Sequence, residues 1–181
     1  MNVTRRTLLA ATAVTLAAAP LPRDVYGFEM PSIEDGTLRF ADYRGKVLLV
    51  VNTASFCGFT PQYKQLEALH RDMAGQGLVV VGIPSQDFGQ EKGSNAEVKA
   101  FCDLTYGVEF PMAGLSRVVG KAAVPFYQWV KAERNWEPGW NFAKVLIGRD
   151  GHILGTFSSD DTPDAGRLRA AIDAAVRVPS A

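Results

Sequence analysis

Two cysteines, Cys57 and Cys102, are the only thiols among the 181 residues, and His70 and His152 are the only imidazoles. They are too few for a disulfide-dense scaffold and lack the short spacings of a zinc site, so no metal is expected. A single thiol can still act as a nucleophile or redox centre. Cys57 is the better placed, in Asn52-Thr53-Ala54-Ser55-Phe56-Cys57-Gly58-Phe59-Thr60-Pro61-Gln62-Tyr63, between an apolar run and the start of a helical pattern. Unpaired amides and the positive dipole end at a helix start favour a thiolate there and should lower its pKa. Gly58 leaves the backbone free to approach the sulfur or a substrate. The same position also suits a small buried cysteine beside a strand end. Residue 60 is threonine, so the chain lacks the Cys-x-x-Cys of a thiol-disulfide exchanger.

The elements that must hold Cys57 are legible from the pattern. Val47-Leu48-Leu49-Val50-Val51 and Leu78-Val79-Val80-Val81-Gly82-Ile83 are continuous apolar runs, as strands buried on both faces read. Between them Thr60-Pro61 supplies a helix start, followed by Leu66, Leu69 and Met73 at helical spacing and then Gly75 and Gly77. Strand, helix and strand in that order predict a parallel unit. Asp35-Gly36 and Arg149-Asp150-Gly151-His152 mark two hairpins, one of them N-terminal. Ser94-Asn95-Ala96-Glu97 is a capping box ahead of Val98, Phe101 and Cys102 on one helical face. Pro125 opens a shorter helix, and Thr162-Pro163 is expected to start the last one. His70 falls mid-helix and His152 in a turn, which reads as ordinary surface or cap placement. Together these predict one α/β domain.

Four stretches carry a resemblance. The Asn52 to Tyr63 segment, Gly82-Ile83-Pro84-Ser85-Gln86-Asp87-Phe88-Gly89-Gln90-Glu91, Phe101-Cys102-Asp103-Leu104-Thr105-Tyr106-Gly107-Val108-Glu109-Phe110-Pro111-Met112 and Trp140-Asn141-Phe142 resemble the glutathione peroxidases. More specifically they resemble the bacterial cysteine-containing, thioredoxin-dependent branch, over residues 28 to 178. The resemblance implies a thioredoxin-like fold, a central mixed sheet flanked by helices, and reduction of hydrogen peroxide or organic hydroperoxides without a cofactor. It assigns the catalytic tetrad to Cys57, Gln90, Trp140 and Asn141. It assigns Cys102 as the resolving thiol that forms a Cys57–Cys102 disulfide, although the position of Cys102 also suits an inert core cysteine. Where the family commonly reads Phe-Gly-x-Gln-Glu-Pro-Gly, this chain has Phe88-Gly89-Gln90-Glu91-Lys92-Gly93, one residue shorter and with lysine for proline. The reach of Gln90 is therefore open. The short stretch between Val124 and Trp140 implies a monomer, reduced by a thioredoxin-like protein or by glutathione. The rival reading is a non-catalytic thioredoxin-fold binding module with inert cysteines or a structural disulfide.

The 19 basic and 19 acidic residues cancel, with no basic stripe, so no nucleic-acid partner is expected. Residues 1–27 differ from the rest: Arg5 and Arg6 precede a 12-residue apolar run from Leu8 to Ala19. That run is shorter than the about 20 residues a membrane span needs, and the pattern resembles a twin-arginine export signal, which implies a periplasmic location. A short uncleaved anchor is the alternative. The cut falls either at Ala17-Ala18-Ala19 or after Val25-Tyr26-Gly27, and the domain is expected to occupy residues 28–181. Cutting after Gly27 would leave 16 basic and 18 acidic residues, a net charge of −2.

Overall fold

The structure, a computed structural model, describes residues 21–179; the arginine pair and the apolar run of the export pattern lie outside the described residues. Its centre is strand β3 (Val47–Thr53), in which every residue is buried. Alternation explains why the run is apolar throughout. Val47, Leu49 and Val51 pack on one face with Tyr63, Leu66, Leu168 and Ile172. Leu48 and Val50 pack on the other with Val25, Phe28, Phe126 and Trp129. Each such side chain contributes about 1.5–3 kcal/mol when removed from water.

β3 pairs in parallel with β4 (Leu78–Pro84), with Val47 opposite Leu78 and Thr53 opposite Pro84. On its other side it pairs antiparallel with β5 (Lys144–Ile147), which pairs antiparallel with β6 (Ile153–Phe157). The mixed sheet has the order β4-β3-β5-β6. Helices α1 (Gln62–Met73), α2 (Asn95–Tyr106) and α4 (Gly166–Arg177) bury residues in the core of one face. Helix α3 (Pro125–Arg134) and the N-terminal hairpin β1 (Glu29–Pro31) and β2 (Thr37–Arg39) cover the other. Asp35 and Gly36 turn that hairpin with φ of 72° and 74°, the left-handed region their residue types tolerate. Ser94 caps α2 as its spacing predicts, accepting from the Glu97 amide at 3.3 Å and donating to Glu97 Oε2 at 2.7 Å.

Three expectations need correction. The packed domain begins before residue 28: Val25–Gly27 form a short 3₁₀ turn, with Asp24 accepting from the Tyr26 amide at 2.9 Å and Val25 fully buried. The Val25 amide donates to the Gly151 carbonyl at 3.0 Å, and the Tyr26 hydroxyl donates to the Arg149 carbonyl at 2.6 Å. A boundary after Gly27 would remove this segment from the core. Helix α4 starts at Gly166 rather than at Thr162-Pro163. Asp161 there accepts from the Ser158 amide and hydroxyl and pairs with Arg167, which keeps the preceding segment in a turn. His70 is half-buried rather than a surface residue, and its Nδ1 accepts the Val80 amide at 3.3 Å on the outer side of edge strand β4. Burial pushes its pKa down from the ordinary imidazole value.

Candidate active site

Strand polarity decides where the four tetrad candidates meet. β3 and β4 run parallel, so their carboxyl ends lie at the same edge of the sheet; β5 runs the other way, so its amino end lies there too. Cys57 follows β3, Gln90 follows β4, and Trp140 and Asn141 precede β5.

Cys57 is 8% exposed, in the turn between β3 and α1. Its amide donates to Thr60 Oγ1 at 3.0 Å, and that hydroxyl donates to the Ala54 carbonyl at 2.9 Å. Thr60 thus closes the cysteine turn instead of capping α1, whose first residue is Gln62. The Phe59 amide points at Cys57 Sγ from 3.5 Å, a donor suited to a sulfur anion.

Despite the shortened loop Gln90 reaches Asn141, whose Nδ2 donates to Gln90 Oε1 at 3.0 Å. With its oxygen so engaged, Gln90 keeps both Nε2 hydrogens for another acceptor. The backbone shows how the shortened loop brings it in. The Gln90 carbonyl accepts the Phe56 amide at 2.9 Å, one residue before Cys57. Next to it, Glu91 Oε1 accepts the Ser55 amide at 3.0 Å and the Lys92 amide at 2.8 Å. The loop after β4 is thereby tied to the loop after β3 at two successive residues. Burial pushes the Glu91 carboxyl above its ordinary pKa, against the lowering effect of these donors.

Asn141 is fully buried, whereas Trp140 is 42% exposed with its ring 5.3 Å from that of Phe88. Asn52, at the end of β3, holds both flanks of this pair: its Nδ2 donates to the Trp140 carbonyl at 3.0 Å and its carbonyl accepts the Phe142 amide at 2.6 Å. Phe142 has φ of 63°, a left-handed conformation that costs a bulky residue of the order of 1–3 kcal/mol. Its ring is fully buried, edge-on to Tyr63 at 5.4 Å, which offsets that strain. Ser159 Oγ adds a 2.7 Å bond to the Asn141 carbonyl. A cleft of about 410 Å³ opens beside Trp140, bordered by Phe59, Trp136 and Ser158.

Cys102 is fully buried on the inner face of α2 and reduced, as is Cys57. Burial pushes its thiol up to about 11, while the nearby Tyr63 hydroxyl pulls the other way. The structure places both cysteines in the same core layer, with Tyr63 close to Cys102 and Phe142.

Asn52, Glu91 and Lys144 are the participants that pattern reading missed. Lys144, fully buried on β5, donates to Gln62 Oε1 at 2.6 Å and to the Asp161 carbonyl at 2.7 Å. Burial lowers its pKa to about 8. A signal existed for the last of these, since a lysine opening an apolar strand must find acceptors if it is buried. Among the described residues, five buried oxygens around this sheet edge have no protein partner: Asn52 Oδ1, Thr53 Oγ1, Ser55 Oγ, Glu91 Oε2 and Asn141 Oδ1. Such unsatisfied groups are rare in native interiors and tend to collect where chemistry is done. Chemically, the arrangement offers a nearly buried thiol, two coupled amides and an indole N–H, a set able to hold an anionic sulfur and a departing oxygen.

The glutathione peroxidase family model matches residues 25–131. A glutathione peroxidase of Lactococcus lactis is 42% identical over 144 residues, covering 77% of this chain and 92% of that protein. A glutathione peroxidase-like peroxiredoxin of Schizosaccharomyces pombe is also 42% identical, over 74% of this chain and 89% of that protein. Among solved structures, a protein called Trgpx in its apo form superposes with a TM-score of 0.71 at 34% identity, covering 88% of this chain and 100% of that one. The mixed sheet and its flanking helices are those of a thioredoxin-like fold. With this sheet and this degree of likeness over most of its length, the chain belongs to the glutathione peroxidase family.

Proposed function

We propose that the protein is a thiol peroxidase in which Cys57 is the attacking nucleophile and Cys102 the resolving thiol. The observation that carries the reading is the Asn141–Gln90 hydrogen bond at the edge of the sheet from which Cys57 emerges. The Cys57 thiolate attacks one oxygen of the hydroperoxide, the O–O bond breaks, and the other oxygen leaves as hydroxide or alkoxide. In this reading Gln90, Asn141 and the Trp140 indole donate to the transferring charge, and a proton completes the alcohol or water. The product is the Cys57 sulfenic acid. Cys102 then attacks its sulfur, water departs, and a disulfide joins the two residues. A thioredoxin-like protein restores both thiols, and the chain acts as a monomer.

A disulfide needs the two Cα atoms within about 7 Å with converging Cβ vectors, and Cys102 is held fully buried on the inner face of a formed helix. In this scheme α2 loosens in each turnover to bring the Cys102 sulfur to Cys57.

The twin-arginine pattern over residues 1–19 supports export across a membrane, with the cut at Ala17–Ala19, since cutting after Gly27 would strip Val25 and Tyr26 from the core. The charge conclusion is unchanged: Arg23 and Asp24 stay together and the net remains −2.

With peroxide and a thioredoxin system, Cys57→Ser should reduce peroxide consumption to background and Gln90→Ala should slow it by about 100-fold. Full activity of Cys57→Ser would refute the assignment. In that same Cys57→Ser protein, raising the Cys102 pKa from 9.0 to about 11 leaves less thiolate at pH 8. Iodoacetamide should thus label folded Cys102 about 100-fold more slowly than unfolded Cys102, and equal rates would contradict its buried, protonated state. N-terminal sequencing of exported protein should start at or just before Pro20, with Val25 and Tyr26 retained, and a chain starting at Phe28 would overturn the proposed cut.

A further inference from the structure

Lys92 sits between the two cysteine-bearing segments in a way the reaction scheme above does not use. Its Nζ lies 4.6 Å from the ring centroid of Phe56 and 5.2 Å from that of Phe101. Phe56 immediately precedes Cys57 on the loop after β3, and Phe101 immediately precedes Cys102 on α2. One ammonium thus faces an aromatic ring from each segment. The lysine is itself fixed: its amide donates to Glu91 Oε1 at 2.8 Å and its carbonyl accepts Gln86 Nε2 at 2.8 Å. Phe56 is 61% exposed, so its ring lies outside the packed core. The position is the one where the family pattern carries proline, which has no cation to offer.

We propose that Lys92 is a latch on the resolving step, holding α2 to the Cys57 loop through paired cation–π contacts. This rests on the two-cysteine reading. After peroxide has oxidised Cys57 to the sulfenic acid, the Cys102 thiol loses its proton and its sulfur attacks. The S–O bond of the sulfenic acid breaks, the hydroxyl leaves with that proton as water, and the S–S bond forms. While the latch is closed, Cys102 stays inside the core and the sulfenic acid waits. A second peroxide can then carry the waiting sulfenic acid to sulfinic acid, so the latch sets how the protein divides between turnover and overoxidation. Lys92 is a positioning residue in this scheme and touches no reacting atom.

The test compares the unsubstituted protein with Lys92→Met, which keeps the stem and removes the charge, and Lys92→Arg, which keeps both charge and stacking. Amide hydrogen exchange of reduced protein over residues 95–106 is read first. The latch requires exchange roughly fivefold faster in Lys92→Met and near the original rate in Lys92→Arg. Quenched-flow mass spectrometry then follows sulfenic acid to disulfide, with a similar acceleration in Lys92→Met and less sulfinic acid at excess peroxide. Equal exchange in all three proteins, or Lys92→Arg matching Lys92→Met, would overturn the latch. Sulfenic acid that never becomes disulfide in the unsubstituted protein would instead refute the role of Cys102, and the exchange comparison would still decide whether Lys92 holds α2.

Discussion

The direction of three strands is the constraint from which the site follows. A central strand buried on both faces leaves no freedom of register, because a slip of one residue would exchange the side chains of its two cores. With β3 so fixed, parallel β4 and antiparallel β5 must deliver their adjoining loops to the same edge. Loops whose key residues lie 33 apart (Cys57 and Gln90) and 84 apart (Cys57 and Asn141) in the sequence are delivered to one edge by strand pairing. The side chains then refine what the sheet has placed. Asn52 on β3 binds the backbone on both sides of Asn141, and Glu91 binds the Cys57 loop beside Gln90.

Concentrating function at one edge has energetic costs. Phe142 is held with positive φ, Lys144 is buried with its pKa lowered to about 8, and several hydroxyl, amide and carboxyl oxygens lack protein partners. Each departs from what stability alone would select, and together they surround the end of β3. The extensive two-sided core supplies the surplus that tolerates them. Lys144 shows the balance most directly, since its charge is costly to bury yet its ammonium satisfies carbonyls that would otherwise be orphaned.

Much of this was legible in the residues. Two uninterrupted apolar runs were enough for β3 and β4, and a serine three residues before a glutamate was enough for the start of α2. What escaped was whatever depends on contacts between distant residues. The shortened loop made Gln90 ambiguous because spacing measures chain length, whereas its position is set by the Phe56 and Ser55 amides across the gap. Thr162-Pro163 looked like a helix start, but the Asp161 hydrogen bonds and its pair with Arg167 hold that stretch as a turn. Val25 and Tyr26 looked like part of a leader because composition changes gradually there, while their burial depends on Gly151 and Arg149 more than 120 residues away. Asn52 and Glu91 carry no local mark separating a clamp from an ordinary polar loop residue.

The resolving step joins the fold to the chemistry. Cys57 is fixed by a short turn at the sheet edge, while Cys102 belongs to a helix whose inner face is part of the core. On the two-cysteine proposal, catalysis needs one half that stays fixed and one that opens, roles that fall to the sheet edge carrying Cys57 and to α2 carrying Cys102. Mass spectrometry of the purified reduced protein after one equivalent of hydroperoxide tests this directly. The account predicts a loss of two mass units through a Cys57–Cys102 disulfide. Both thiols left unmodified while the peroxide persists would contradict it.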